Sequence, residues 1–250
     1  MLTNNLRKIY ASLSTARGRR GSGLFMAQGT KCVLDTLPHF AVEAVLATAE
    51  WAGEHPDVRG VEVVRQSDLD RITSLSTAPR VIAIYRMPDV FAVPAVGYFR
   101  DNLALALDCV QDPGNLGTIL RVCDWMGVDT VLASRDTADV WQPKVVQSTM
   151  GAISRVRVYY CDLAEVLGRM DAPVYGTFLD GEDIYGADLR VCGIVVMGNE
   201  GRGISHEVAA AVSRRLLIPS YPAGRPTSES LNVAVATAIT LSEFRRRDGK

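Results

Sequence analysis

Two loops of this 250-residue sequence place polar side chains where they could do chemistry, and the first is Asp112–Gly117. It leads into a predicted helix that carries Arg121, six residues beyond Asn115. A guanidinium at that position could hold a phosphate or stabilise a developing oxyanion. On spacing alone, a surface ion pair between Arg121 and Asp124, three residues on, is the favoured explanation of the arginine. Asn115 is also suited to cap the helix.

The second loop, Gly198–Gly203, directly follows the apolar run Ile194–Met197. Its three glycines allow the backbone to approach a ligand closely. Their spacing, GxxGxG, is not the GxGxxG of a dinucleotide-binding turn. Glu200 and Arg202 could contact a ligand from this loop, or they could form an internal ion pair in a tight turn.

A third segment, Ile218–Val233, is a long proline-rich connection that opens the last predicted helix. Prolines stiffen such a loop, and Ser228 or Ser230 could cap the helix that follows. Long ordered loops at the edge of a sheet usually carry function. The unpaired N–H groups of the helix start could receive an anion or a carboxylate.

Alternating apolar runs and helical patterns predict the elements that must position these loops. This rhythm is typical of an α/β protein, and after residue 102 it predicts a mostly parallel sheet with helices on both faces. Ligands of such sheets bind beyond the carboxyl ends of the strands. The predicted strands are Gly23–Ala27, Val42–Leu46, Gly60–Val64, Arg80–Tyr85, Leu103–Val110, Thr130–Ala133, Arg155–Tyr160, Val174–Leu179, Val191–Met197 and Arg215–Ile218. The predicted helices of this second part include Asn115–Met126 and Asn232–Arg247.

Two prolines within Met87–Pro94 disfavour both helix and central strand, so this stretch predicts a seam between domains. We therefore expect a small α/β domain over 1–94, a linker over 95–102 and a larger domain over 103–250. A composition of 48% hydrophobic and 22% charged residues is typical of folded globular proteins.

The formal charge of −1 hides an asymmetry along the chain. Residues 1–100 hold 12 basic and 9 acidic side chains, whereas the remainder holds 15 and 19. Residues 1–31 contain six basic residues and no acidic one, which predicts a local, salt-sensitive contact with nucleic-acid phosphates. The six are Arg7, Lys8, Arg17, Arg19, Arg20 and Lys31.

The five cysteines are scattered and form no CxxC pair, so neither a disulfide framework nor a zinc site is expected. The start of the sequence lacks the apolar run of a signal peptide, and no window approaches a membrane-spanning length. We expect a cytoplasmic protein that uses no metal and contacts no membrane.

In this order, the three loops resemble the SpoU/TrmH-type 2′-O-ribose RNA methyltransferases of the SPOUT class. The family's first motif is found as Asn115–Arg121, and its second, an apolar strand running into a Gly-Asn-Glu-Gly loop, as Val195–Gly201. The third is found as Ile218-Pro219 followed by Ser230–Val233. Each motif alone is weakly specific, but three in order at predicted strand ends are specific. The resemblance covers roughly 103–247.

The resemblance implies a trefoil-knotted methyltransferase domain that binds S-adenosylmethionine and forms a homodimer through the knot. Family contacts to the cofactor carry over to Gly198, Ile218 and Leu231, largely through backbone groups. The implied reaction is methyl transfer to a ribose 2′-hydroxyl of structured RNA, either transfer or ribosomal RNA.

The implied catalytic residues are Arg121, Asn115, Glu200, Ser230 and Asn232. Arg121 is the family's key catalytic residue, and the other four would orient Arg121, the substrate and the knot. Because arginine is a poor free base, we expect it to hold phosphate or stabilise the oxyanion.

The first domain is similar to the family's ribosomal-protein-like RNA-binding module. Its mark is the segment Phe25–Gly29, in which Gln28 stands where the family usually has glutamate. The third motif is longer than the family's commonest version, and Ala234 stands where serine is frequent. These departures indicate a subfamily.

Two other functions are compatible with the sequence. One is a catalytically inactive RNA-binding protein on the same fold, which the joint presence of the five motif residues argues against. The other is a nucleotide-cofactor oxidoreductase, which the glycine spacing disfavours.

Overall fold

The computed structural model describes residues 2–89, 92–222 and 228–247, and the chain divides into two compact units. The first unit is Met1–Asp89 with Asp139–Ser154, and the second is Val90–Ala138 with Arg155–Lys250. The sequence-based division at 94 and 103 differs from this, because it assigns Asp139–Ser154 to the second domain. Trp141 gives the physical reason, since its ring packs 4.6 Å from the ring of Phe25.

All ten predicted strands are present, with ends that differ by a few residues. The strands are β1 (Leu24–Gln28), β2 (Val42–Ala47), β3 (Val61–Val63), β4 (Val81–Arg86), β5 (Leu103–Leu107), β6 (Thr130–Ser134), β7 (Arg157–Cys161), β8 (Val174–Asp183), β9 (Gly193–Met197) and β10 (Arg214–Leu217). The α-helices are α1 (Asn4–Ser12), α2 (Ala16–Ser22), α3 (Thr30–Thr36), α4 (Ala49–Glu54), α5 (Gln66–Leu69), α6 (Pro113–Trp125), α7 (Pro143–Thr149), α8 (Leu163–Leu167), α9 (His206–Ala209) and α10 (Val233–Arg247).

The first unit is built on a four-stranded mixed sheet in the order β1-β4-β2-β3. Strand β4 pairs antiparallel with β1 and β2, and β3 pairs parallel with β2. Apolar side chains from these strands and from the first and fifth helices form one core. Its fully buried members include Leu13, Met26, Leu46, Leu69 and Ile82.

The second unit is built on a six-stranded sheet in the order β10-β8-β9-β5-β6-β7, in which every pairing is parallel. This confirms the predicted α/β class and the mostly parallel sheet. All five residues of β5 are buried, as the continuous apolar run Leu103–Leu107 predicts for a strand covered on both faces.

Because the strands run parallel, their carboxyl ends meet at one edge of the sheet. Asp108 follows β5, Gly198 follows β9 and Ile218 follows β10. The three loops singled out in the sequence therefore leave the sheet at the same edge.

The predicted linker 95–102 forms a short 3₁₀ helix, Val96–Arg100, rather than an unattached connection. Phe99 is fully buried in the core of the second unit, and Arg100 pairs with Asp171. The segment is therefore an integral part of the second unit.

Two helix caps differ from those expected. Helix α6 is capped by Asp112, whose Oδ1 accepts from the N–H of Asn115 at 2.8 Å, and Pro113 occupies the first turn. At the start of α10, Asn232 Oδ1 accepts from the N–H of Ala234 at 3.0 Å, a role expected of Ser228 or Ser230. The cap at Asp112 leaves the side chain of Asn115 available for other contacts.

Candidate active site

A chain of side-chain hydrogen bonds joins the three loops. Asn115 Nδ2 donates to Glu200 Oε1 at 2.7 Å, and Asn115 Oδ1 accepts from Asn232 Nδ2 at 3.0 Å. The amide of Asn115 therefore uses both its donor and its acceptor side to link the starts of α6 and α10 to the glycine loop. Three of the five predicted catalytic residues are brought into direct contact.

The glycine loop is closed by Asn199, a residue that the sequence analysis did not single out. Its Oδ1 accepts from the N–H groups of Gly201 and Arg202 at 3.0 and 3.1 Å. Its Nδ2 donates to the carbonyl of Cys109 at 2.9 Å. The backbones of Asn199 and Gly203 also pair in both directions. These bonds fix the loop in one shape.

Glycine is required at position 198 because the loop folds back on itself there. A Cβ at Gly198 would lie 2.3 Å from the carbonyl carbon of Gly203, and backbone cannot yield as a side-chain tip can. The alternative of an internal ion pair between Glu200 and Arg202 is not what the structure shows. Glu200 binds Asn115, while Arg202 Nη2 lies 3.5 Å from Cys109 Sγ.

A cavity of about 500 Å³ opens beside this loop at the carboxyl edge of β8, β9 and β10. Its size falls within the range of small-molecule and cofactor sites. It brings together all three predicted cofactor contacts and two of the predicted catalytic residues. Those residues are Gly198, Ile218, Leu231, Glu200 and Ser230.

The lining of this cavity suits S-adenosylmethionine, the cofactor that the resemblance implies. Met197, Leu217 and Val233 offer apolar surface for a flat ring. The carboxylates of Glu200 and Glu229 offer negative charge for a cation, and the close-approach backbone at Gly198 offers polar groups without steric bulk. We could not have identified Glu229 from spacing, since it belongs to no motif.

Arg121 is exposed on α6, less than two turns beyond Asn115. It forms no hydrogen bond or ion pair with the residues that the structure describes. The alternative of a surface pair with Asp124 is wrong, because Asp124 binds Arg155 through both carboxylate oxygens at 2.7 and 2.8 Å. None of the described residues therefore occupies the guanidinium of Arg121.

The six predicted RNA-binding residues divide into two groups. Arg19 is 3% exposed and donates to Asp139 at 2.6 Å and to the carbonyl of Leu13, so it holds the first unit together. A contact with RNA is incompatible with that burial, and the prediction for Arg19 is corrected. Arg7 is tied to the buried carboxylate of Asp68 at 3.1 Å.

The other four basic residues are exposed. Lys31 pairs with Asp35 at 3.4 Å on α3. Lys8, Arg17 and Arg20 form no ion pair with any described residue and project from α1 and α2. These three are the exposed positive charges of residues 1–31 that have no ion-pair partner among the described residues.

Over the ranges described, no three or more His, Cys, Asp and Glu side chains are arranged to hold a metal ion. Among the helices in those ranges, none combines the length and the apolar character needed to cross a membrane.

A parallel sheet with a loop-built cavity and an amide–carboxylate network at its edge defines an α/β protein with a site of the size that small-molecule cofactors occupy. The family model described as SpoU rRNA Methylase matches residues 102–242, more than half of the sequence. The chain belongs to this family, which confirms the resemblance drawn from the three motifs.

Relatives extend the similarity over nearly the whole chain. The chain is 27% identical over 249 residues to the 23S rRNA (guanosine(2553)-2′-O)-methyltransferase RlmP of Bacillus subtilis, covering 97% of this chain and 96% of that protein. A solved Porphyromonas gingivalis structure, assigned to the TrmH family of RNA methyltransferases, is 39% identical with a TM-score of 0.88 and covers 99% of both chains. An AdoMet-bound rRNA methyltransferase from Sinorhizobium meliloti is 28% identical with a TM-score of 0.82, covering 98% of this chain and 96% of that one.

Proposed function

We propose that this protein transfers a methyl group from S-adenosylmethionine to a ribose 2′-hydroxyl of structured RNA, with ribosomal RNA as the substrate class. The observation that carries the proposal is the Asn115–Glu200–Asn232 network beside the 500 Å³ cavity, with Arg121 unpaired among the described residues on the helix that Asn115 begins. The family and the RlmP relative, both named for ribosomal RNA, support the choice of RNA.

The cofactor, when bound, supplies an electrophilic methyl group. Gly198, Ile218 and Leu231 would hold it, and the carboxylates of Glu200 and Glu229 would offset its positive charge. The residues of this chain must then orient the 2′-hydroxyl and help to remove its proton.

A guanidinium is a poor general base, so we do not assign removal of the hydroxyl proton to Arg121. Its guanidinium can hold an RNA phosphate and stabilise the negative charge that develops on the 2′-oxygen. Glu200 Oε2 accepts no hydrogen bond from a described residue, and it is free to accept one from the hydroxyl. Asn115 holds Glu200, Asn232 holds Asn115, and Ser230 lines the cavity beside them.

Mapping of 2′-O-methyl sites tests the reaction and the substrate class together. Ribosomal and transfer RNA from a deletion strain should be compared with RNA from the same strain carrying the native gene or the Arg121→Ala variant. We expect one ribosomal 2′-O-methyl group to vanish on deletion and to return only with the native gene. A lost site in transfer RNA would overturn the substrate class, and unchanged methylation of both RNAs would contradict the activity.

The homodimer implied by the family is also proposed here. Helices α6 and α10 pack together and expose apolar side chains, among them Trp125 at 87% and Val235 at 49% exposure. Large exposed apolar groups on adjacent helices are typical of a protein–protein interface. Light scattering should give twice the mass of one chain for the native protein and the mass of one chain for Trp125→Glu.

The trefoil knot remains a proposal, supported by the path of the last elements. Strand β10 lies at one edge of the six-stranded sheet, yet α10 returns to pack on α6, and Asn232 binds Asn115. An experimental structure that traces the chain from β10 to α10 would test it.

The ribosomal-protein-like RNA-binding module also remains a proposal, and it concerns the first unit. The exposed charges of Lys8, Arg17 and Arg20 support it, since phosphate contacts dominate RNA affinity. The cytoplasmic location predicted from the sequence stays a prediction.

A further inference from the structure

A second cavity, of about 250 Å³, lies at the carboxyl ends of β5, β6 and β7 and shares no lining residue with the first. It is smaller than the roughly 300–1,000 Å³ typical of sites for whole drug-sized ligands, which favours a single ring system. Charged and polar side chains line it, namely Asp108, Ser134, Arg135, Cys161, Asp162 and Glu207.

Asp108 is the most informative of these residues because it is a carboxylate that is only 5% exposed. Its Oδ2 accepts from the N–H of Ser205 at 2.7 Å. Its Oδ1 accepts no hydrogen bond from any residue in the described ranges. Because Asp108 lines the cavity, a ligand that supplies an N–H group would give this oxygen a charge-assisted hydrogen bond.

The lining of the cavity also includes Cys161, Asp162 and Arg135. Burial, and to a lesser extent the charge of Asp162, raise the pKa of the Cys161 thiol to about 11, while Arg135 opposes the rise. Glu207 adds a third carboxylate to the lining. The cavity thus offers several hydrogen-bond acceptors, together with one strong donor, Arg135.

We infer that this cavity binds a guanine base of the RNA substrate, an inference that rests on the proposed function. Guanine is the standard base whose Watson–Crick edge presents two adjacent donors, N1–H and the 2-amino group, which match carboxylates. Its O6 and N7 are adjacent acceptors, which match an arginine. Adenine and cytosine place an acceptor beside their amino group, and uracil flanks its N3–H with two carbonyl oxygens.

The arrangement suits an unstacked nucleotide next to the reaction site. Proteins read single-stranded RNA by hydrogen bonds to the edges of splayed bases. Asp108 begins the segment that leads from β5 to Asn115, and Ser205 follows the glycine loop. A base held in this cavity would thereby be connected to both loops of the candidate active site.

Nucleotide monophosphates test the inference on the full-length protein. Amide chemical shifts should be followed by NMR during titration with GMP, with IMP, which lacks the 2-amino group, and with UMP. We expect GMP to shift the amides of Ala164, Ser205 and Val208, and IMP to bind about tenfold more weakly, as the loss of a charged hydrogen-bond pair predicts. UMP should produce no shift at these positions.

Two variants assign the contacts. Asp108→Asn keeps an oxygen acceptor for Ser205 but removes the charge, so it should weaken GMP about tenfold and erase the difference between GMP and IMP. Arg135→Ala is an exposed change that should weaken GMP and IMP equally. Asp136→Asn, exposed on the same loop but absent from the cavity lining, is the matched control and should change neither.

Equal affinity for GMP, IMP and UMP would overturn the inference, as would unchanged GMP binding in both Asp108→Asn and Arg135→Ala. Shifts confined to the glycine-loop side of the first cavity would also overturn it. Calorimetry with S-adenosylmethionine separates this result from the proposed function. Cofactor binding without guanine selectivity would refute only the guanine site in the second cavity. No cofactor binding would refute the proposed methyltransferase activity.

Discussion

Asn115 donates from Nδ2 to Glu200 Oε1 at 2.7 Å, although the two residues are 85 positions apart in the sequence. The same amide accepts from Asn232, so a neutral group stands between a carboxylate and a second amide. This relationship fixes which oxygen of Glu200 is occupied and which is available. It makes the side chain of Asn115 the link on which the geometry of the candidate active site depends.

Replacement of Asn115 by Asp tests that link. The new carboxylate would face Glu200 at hydrogen-bond distance without a proton to share, and the two like charges would repel. We expect methyl transfer to fall about 100-fold or more, as with removal of a preorganised hydrogen-bond donor, while the fold is retained. Tritium-methyl transfer and circular dichroism measure these two properties. Thr118→Ala, one turn further along α6, is the control, and equal losses in both variants would contradict the role of Asn115.

Arg121→Ala should abolish methyl transfer and leave the affinity for S-adenosylmethionine nearly unchanged. The reason is that Arg121 does not line the cofactor cavity and has no partner among the described residues. Calorimetry and a tritium-methyl assay measure the two quantities separately. Arg169→Ala, which removes an exposed arginine paired with Glu165, should affect neither. A parallel loss of binding and transfer in Arg121→Ala would refute the assignment.

The double substitution of Arg17 and Arg20 by Ala should weaken RNA binding without affecting stability. Both side chains are exposed, and each RNA phosphate that is no longer neutralised should lower the slope of log affinity against log salt by roughly one. Filter binding at several salt concentrations measures the slope. An unchanged slope would show that α2 is not part of the RNA interface.

Arg19→Ala is the contrasting variant on the same helix. It leaves Asp139 without its cation and opens a gap beside the Leu13 carbonyl, so it should lower the free energy of unfolding by about 2–4 kcal/mol. Urea denaturation measures this change. The structural role of Arg19 would be wrong if Arg19→Ala weakened RNA binding as much as the double substitution of Arg17 and Arg20 and left the free energy of unfolding unchanged.

The buried side chain of Gln28 holds a neighbouring loop in place through hydrogen bonds. It is 1% exposed, its Nε2 donates to Ser74 Oγ at 3.0 Å, and its Oε1 accepts from Thr73 Oγ1 at 2.6 Å. Gln28→Glu would remove the donor and bury a charge, so the pKa of the new carboxyl should rise. We expect a loss of about 1–3 kcal/mol at pH 8 and a smaller one at pH 5, where the acid is protonated. A pH-independent loss would contradict this account.

For Glu243, at the end of α10, we expect the opposite pH dependence of stability. Its side chain is 4% exposed, and hydrogen bonds from Arg246 and then Arg247 lower its pKa to about 2. Because the folded pKa lies below the unfolded value near 4.3, its contribution is present above about pH 5 and is lost as the pH falls towards 2.

Glu243→Gln should therefore lower the free energy of unfolding at pH 7 and converge with the native protein near pH 2. The difference at pH 7 should be about 1–2 kcal/mol, reduced from the full linkage value because Arg246 is half-exposed and screened by solvent. Denaturant titrations across this pH range measure it. A difference that stayed constant with pH would show that Glu243 acts through packing alone.

The strands could be predicted because each is a short apolar run bounded by turn residues. The capping residues of α6 and α10 differ from those expected because several polar residues precede each helix, and only the backbone conformation selects the one that caps it. For α6, the signal was present as Asp112-Pro113, an acidic cap before a proline in the first turn. The burial of Arg19 could not be predicted, because a basic run in the sequence indicates only charge, whereas this burial depends on Asp139, 120 residues away.

By itself, the sequence determined the ten strands, the order of the three motifs and the family, because these depend on local patterns of residue types. Only the tertiary structure decided that Asn115 binds Glu200 and Asn232, that Arg121 has no ion-pair partner among the described residues, and that Asp108 faces a second cavity. These facts arise from parallel strand pairing, since the crossover connections bring strand ends together from distant parts of the chain. No local pattern records which side chains then come within hydrogen-bond distance of one another.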